Sequence, residues 1–278
     1  MSFWGTLLAL AWDRVAPLFR PSQLERQFDR YAAWLHDRVN AGTHAHGLLA
    51  WSLAALAPAL MVGLLGLWLT ELAWPLGLAW SAAVLYRCLG FSQLVDLARG
   101  VSAALAAGDP VRARDKLAGL GIECGPDETP DGYVQPAMDR LFRFGLERLF
   151  GVLFWFALLG PFGAVAYALS QRLAERWLGA LDFHGAVAQI MPVLDWLPAR
   201  LLAMSFAIVG NFEEAMVAWR ARAADDDPHG VVRAAGLGAL GLDQETPGPE
   251  YVAGVASLLN RAVLLWLGVL GLLWLGGI

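Results

Sequence analysis

The stretch LLAWSLAALAPALMVGLLGLWL, residues 48–69, carries no charged side chain. About 20 apolar residues at 1.5 Å each cross the hydrocarbon core of a bilayer, so this segment reads as a transmembrane helix. Glu71 follows it, and residues 72–91 supply a second apolar run close behind. The tight turn between them predicts a transmembrane hairpin. Further runs cover 149–169, interrupted by Gly160 and Pro161; 194–210, interrupted by Asp195, Pro198 and Arg200; and 255–277. A shorter one at 3–19 is broken by Asp13 and Arg14 and ends at Pro17 and Pro21. It reads as a retained membrane segment, because it has neither a basic start nor a small-residue cleavage site.

Composition agrees. The chain is 58% hydrophobic and 16% charged, with mean hydropathy +0.50. Soluble domains are about a quarter charged, so this apolar excess calls for lipid as a second apolar solvent. The 13 Trp suit membrane interfaces. A net charge of -5 argues against nucleic acid as a partner, which would demand a basic surface. Two cysteines, Cys88 and Cys124, give no disulfide framework and no zinc site. No phosphate loop, dinucleotide turn or nucleophile elbow is present.

Between the apolar runs lie polar helical segments at 22–40, 93–148 and 211–250. Leu24, Phe28, Tyr31, Leu35 and Val39 recur at helical spacing and share a face, behind a Ser22/Glu25 capping box. Asp109 and Pro110 read as N-cap and first residue of a helix. With six crossings these segments share one side and hold most of the Lys and Arg, leaving Arg172 and Arg176 opposite. The positive-inside bias then puts the polar layer in the cytoplasm. The fold class expected is all-α: a polytopic helical integral membrane protein with a cytoplasmic helical layer, forming one domain over 1–278.

Ionisable groups at membrane depth are costly and are usually paired or functional. Asp195 and Arg200 flank Pro198, which frees the carbonyl of residue 194. They form either an ion pair pinning a broken helix or the wall of a polar cavity. Asp13 closes the first segment, as a snorkelling partner of Arg14 or a partner of Arg200. Asn211, Glu213 and Glu214 cap a helix or line a polar mouth. His44 and His46 lack a third metal ligand. GLGALGL at 236–242 suits close helix packing better than a phosphate cradle.

Four stretches in order carry a resemblance: LAAGDPVRARDKLAGL at 105–120, FGVLFWFALLGPFGAVAYAL at 150–169, LDWLPARLLA at 194–203 and HGVVRAAGLGALGL at 229–242. Together they resemble the CobD/CbiB membrane protein superfamily over nearly the whole chain. In its cobalamin-making branch the resemblance implies an ATP-using ligation of an aminopropanol unit to a corrinoid carboxylate. Several polar positions of that branch differ here. GLGIEC stands at 119–124 where the enzymes carry Gly-Arg-Asp, and QRLAE at 171–175 replaces Asn-Thr-Leu-Asp-Ser. Arg143 and Phe144 replace a Glu-Asn pair, and Glu147 stands near an Asp position. The AmpE branch is also similar, through Asp13, the LDW-x-P-x-R-L stretch and GNFEEAMVAW at 210–219.

The leading expectation is therefore an AmpE-like inner-membrane regulatory or sensory protein, linked to peptidoglycan recycling and β-lactamase induction. It would bind an unknown small molecule through Asp13, Asp195, Arg200, Asn211 and Glu214. It would need no metal or cofactor, and it has a homo-oligomer as a further option. The alternative is an amide ligase of the CobD/CbiB type with an altered site, using ATP and Mg. A transporter is third.

Overall fold

The computed structural model describes residues 2–15, 23–39, 44–119, 121–122, 130–176, 181–222, 227–242 and 248–276. Among them every regular element is helical. In chain order these are α1 (Ser2–Val15), α2 (Gln23–Val39), α3 (His44–Trp51), α4 (Ala57–Leu72), α5 (Trp74–Cys88), α6 (Phe91–Ala106) and α7 (Pro110–Gly119). Then follow α8 (Val134–Gly145), α9 (Gly151–Arg176), α10 (Leu181–Val209), α11 (Phe212–Arg222), α12 (Pro228–Ala239) and α13 (Glu250–Leu275). Among the described residues five stretches are long and apolar enough to cross a membrane: His46–Leu72, Trp74–Ala106, Val134–Arg176, Ala188–Val209 and Glu250–Leu275. On α4 Met61, Leu64, Leu67 and Trp68 are all more than half exposed. Water would not tolerate such an apolar face, and lipid does. The protein is a multi-pass helical membrane protein. α1 has 14 residues, fewer than a full span takes. The Ser22/Glu25 capping box and Cys124 lie outside the described residues and side chains. His44, read from sequence as part of a loop, opens α3.

The chain's contacts group into two units, Met1–Gly90 with Gly151–Asp195, and Phe91–Phe150 with Trp196–Ile278. In the first, Pro58 cannot donate to the carbonyl of residue 54, and a π-helical turn over Ser52–Leu56 absorbs the mismatch. Ala73 is extended and Pro75 starts α5, which gives the tight hairpin. Trp80 Nε1 donates to the Val62 carbonyl at 3.1 Å and clamps α4 to α5.

The decisive feature of this unit is in α9. Gly160 has φ 64 and ψ -149, a conformation open essentially to glycine, and Pro161 follows it. A Cβ placed on Gly163 would meet the backbone of Trp155, and one on Gly151 would meet the Tyr167 ring. In an unbroken helix residues 151 and 167 would stand about 24 Å apart, beyond the reach of a tyrosine. The limbs 151–159 and 161–176 therefore fold back on each other, so the sequence's single span at 149–169 contains a reversal.

This bears on orientation. Arg172 Nε and Nη2 each donate to an Asp29 carboxylate oxygen on α2 at 2.9 Å, and Arg176 lies 3.6 Å from Asp29. The sequence reading set Arg172 and Arg176 across the membrane from the segment 22–40; the pairing puts them on the same side. That removes the arginines which had defined the opposite face.

In the second unit, Gly108 (φ 62) turns the chain between α6 and α7. Asp109 Oδ1 accepts from the N–H groups of Val111 and Arg112 at 3.1 Å, capping α7 as its sequence predicts. Asp227 caps α12 in the same way, accepting from His229 N–H at 3.1 Å ahead of Pro228. α8 buries Val134, Met138, Leu141 and Phe142, and turns Gln135, Asp139 and Arg143 outward. Each such large apolar side chain contributes about 1.5–3 kcal/mol by leaving water. Gly236 lets Phe142 approach α12, and Gly238 packs on the backbone of α11, so the glycine-rich run is a packing device.

Candidate functional site

Among the described residues three carboxylates are buried, Asp13 and Asp195 in the first unit and Glu147 in the second, and the contacts of two of them are well defined. The first is Asp195 on α10, 1% exposed. Tyr167 Oη donates to its Oδ1 at 2.6 Å. Gln171 Nε2 donates to Tyr167 Oη at 2.8 Å and reaches Asp195 Oδ1 at 3.4 Å. Tyr167 and Gln171 sit four apart on the returning limb of α9 and so share a face. Pro198 has no N–H for the Leu194 carbonyl, and Trp155 Nε1 takes that role at 3.2 Å. The reversal at Gly160 thus brings both limbs of α9 to one stretch of α10. Ser170, on the same limb, accepts from Trp51 Nε1 at 2.9 Å. Asp13, on α1 of the same unit, is also buried, at 2%.

The second is Glu147, 5% exposed, inside a π-helical turn over Leu146–Phe150. Arg143 Nε donates to Glu147 Oε1 at 2.7 Å, Arg140 Nη1 lies 3.9 Å from Oε2, and His229 Nε2 lies 3.7 Å from Oε1. One turn further along α12, Arg233 Nε donates to Asp139 Oδ1 at 2.5 Å, binding α12 to α8 a second time. Burial holds His229 below the usual imidazole range, with the Glu147 charge partly opposing the shift.

Of the five residues expected to bind a ligand, Asp13 and Asp195 belong to the first unit, and Arg200, Asn211 and Glu214 to the second. Arg200 lies over the Trp196 ring, 4.0 Å from its centroid, and donates to the Trp196 carbonyl at 3.2 Å. Asn211 Oδ1 accepts from the Glu214 N–H at 3.4 Å, which brings these two together at the start of α11. Asn211 N–H also donates to the Ala239 carbonyl at 3.0 Å, at the end of α12. Glu214 Oε2 is buried with no hydrogen-bond partner among the described residues. No group of three His, Cys, Asp or Glu side chains converges among the described residues.

Sequence reasoning did not select Tyr167, Gln171, Glu147 or His229. Tyr167 with Gln171 and Arg143 with Glu147 are each four apart on helices, and Glu147 also stands near an Asp position of the cobalamin-making branch, whereas no spacing marks His229.

The model of the CobD/Cbib protein family matches residues 6–254. A relative from Stutzerimonas stutzeri named cobalamin biosynthesis protein CobD is 33% identical over 230 residues, 78% of this chain and 72% of that one. A second protein of that name, from Chromobacterium violaceum, is 30% identical over 209 residues, 66% of this chain and 67% of its own. Protein AmpE of Shigella flexneri is 26% identical over 239 residues, 81% of this chain and 80% of its own. No solved structure matches. A match that takes in the buried carboxylates of both units, from α1 into α13, makes this chain a member of the CobD/Cbib family.

Proposed function

We propose that this protein acts in corrinoid biosynthesis from the inner membrane, joining an amine to a corrinoid carboxylate at the expense of ATP. The carrying observation is that the CobD relatives, at 33% and 30% identity, are more similar than AmpE at 26%. This reverses the order expected from the altered polar motifs. In such a ligation the carboxylate oxygen attacks the γ-phosphorus and ADP leaves. The amine nitrogen then attacks the acyl carbon, phosphate leaves, and a base takes one amine proton. Asp195, buried and hydrogen-bonded by Tyr167 and Gln171, acts in this reading as a positioning residue that holds the returning limb of α9 against α10.

The test is reconstitution. Protein in detergent is given ATP, Mg2+, 1-aminopropan-2-ol or its phosphate, and a corrinoid carboxylate, and the product is weighed by mass spectrometry. The amide should form with stoichiometric ADP, and Asp195→Ala, which removes the polar group at a position where the cobalamin-making branch carries Asn, should lower kcat at least tenfold. Absence of amide, together with failure to rescue a strain lacking its own ligase, would overturn the reading. A second reading, AmpE-like regulation, draws on the AmpE match covering 81% of this chain, the widest coverage of the three relatives. It predicts that deleting the gene alters β-lactamase induction and leaves corrinoid content unchanged.

A further inference from the structure

The Glu147 cluster has features beyond those of a structural ion pair. One buried carboxylate, Glu147, is met by two guanidinium groups, those of Arg143 and Arg140. Among the described residues Arg143 meets Glu147 through Nε, and its side chain is 53% exposed, so both Nη groups stay available. Arg140 Nη2 comes within 3.9 Å of the position a Cβ on Gly121, at φ 73, would take. His229 stands on the third side. The carboxylate sits in a π-helical turn, a distortion frequent at functional sites. A guanidinium already fixed at Nε presents its outer edge with little rotamer freedom left to lose. That edge matches the paired oxygens of a phosphate.

We propose that Arg140 and Arg143, oriented by Glu147 and flanked by His229, form a binding site for a phosphate-bearing anion. Glu147 repels the anion from the buried side and so directs it to the Nη edge. Arg143 stands where the cobalamin-making branch carries Glu, so the site is a feature of this chain; the identity of the anion rests on the ligation reading, in which it is the triphosphate of ATP. An anionic lipid headgroup shares the same chemistry.

The full chain in non-ionic detergent is titrated calorimetrically with inorganic tripolyphosphate and with a non-hydrolysable ATP analogue. Binding should weaken about tenfold or more in Arg143→Ala, since one charge-assisted contact is worth about 1.5–3 kcal/mol. Arg143→Lys, which keeps charge and loses the fork, should recover only part. Arg112→Ala, at an 81% exposed side chain paired with Asp109, should change nothing. Thermal melting of each variant near the wild-type temperature shows that the fold persists. Phosphatidylglycerol and phosphatidylcholine nanodiscs provide the second arm: Arg143-dependent binding to the anionic lipid alone assigns the site to headgroups. Equal affinities in wild type, Arg143→Ala and Arg143→Lys, or no binding of either phosphate source by wild type, would overturn the site. Arg143-dependent binding without amide formation upholds the site and removes the ligation. Amide formation untouched by Arg143→Ala upholds the ligation and removes the site.

Discussion

In the first unit Asp195 accepts hydrogen bonds from Tyr167 and Gln171, which are neutral and come from a different helix. In the second unit Glu147 meets a cation one turn away on its own helical run, Arg143, with His229 reaching in from α12. The two carboxylates are comparably buried, yet their support differs in range. The Glu147–Arg143 contact is an i,i+4 pair that any helix over these residues would allow. The Asp195 contacts exist only because α9 reverses at Gly160 and lays Tyr167 beside Gly151. One arrangement depends on charge and the other on backbone shape, so different substitutions should break them.

The largest effect should come from the backbone. Gly151→Val drives a branched side chain into the Tyr167 ring and is expected to destabilise by about 3 kcal/mol or more. Gly160→Ala has no neighbour within 4 Å, so it isolates conformational strain, of order 1–3 kcal/mol. Denaturation in mixed micelles reads both. A Gly160→Ala protein as stable as wild type would contradict the reversal in α9.

Next is the carboxylate itself. Asp195→Ala removes the acceptor that the Tyr167 hydroxyl meets at 2.6 Å, while Gln171 keeps its bond to Tyr167 Oη, and should cost about 1–3 kcal/mol. Tyr167→Phe combined with Asp195→Ala should cost much less than the sum of the two single changes, because the second removes the orphan left by the first. Additive losses would show that the hydrogen bond carries no coupling.

These contrasts explain what the sequence could reveal. The apolar runs announced a helical membrane protein because length and the absence of charge suffice for that inference. Asp109 and Pro110 announced a cap because capping is local, and GLGALGL read as packing for the same reason. The reversal at Gly160 was visible only as an interruption, since Gly-Pro marks a break without giving its angle. Asp195 stood out as a charge in an apolar run, whereas Tyr167 and Gln171 look like ordinary helix residues until the fold-back aims them. Glu147 and His229 lie more than eighty positions apart in sequence, and no periodicity connects them.

The second unit should answer to pH instead. His229 titrates below its ordinary 6.5 because burial disfavours the imidazolium. Between that lowered value and 6.5 the unfolded chain binds more protons than the native one, so stability rises with pH there. Acidifying from pH 7 through 6.5 and below should lower the melting temperature, and His229→Gln should flatten that slope. An unchanged slope in His229→Gln would place the titration elsewhere.

The smallest effect belongs to the pair that joins α2 to the end of α9. Asp29 lies below its ordinary 3.8, chiefly through the Arg172 hydrogen bond, with burial opposing. A depressed carboxyl contributes stability above its unfolded value and loses it as pH falls through the folded one. Arg172→Ala should therefore cost about 1 kcal/mol at pH 7, the scale of a partly exposed ion pair, and almost nothing once Asp29 is protonated. High salt should shrink the difference as well. Because the pair also fixes which side α2 occupies, cysteines placed at Arg26 and Arg176 should react with an impermeant thiol reagent from the same face of sealed vesicles. Labelling from opposite faces would restore the orientation that the arginine count alone suggests and would remove the contact between Asp29 and Arg172.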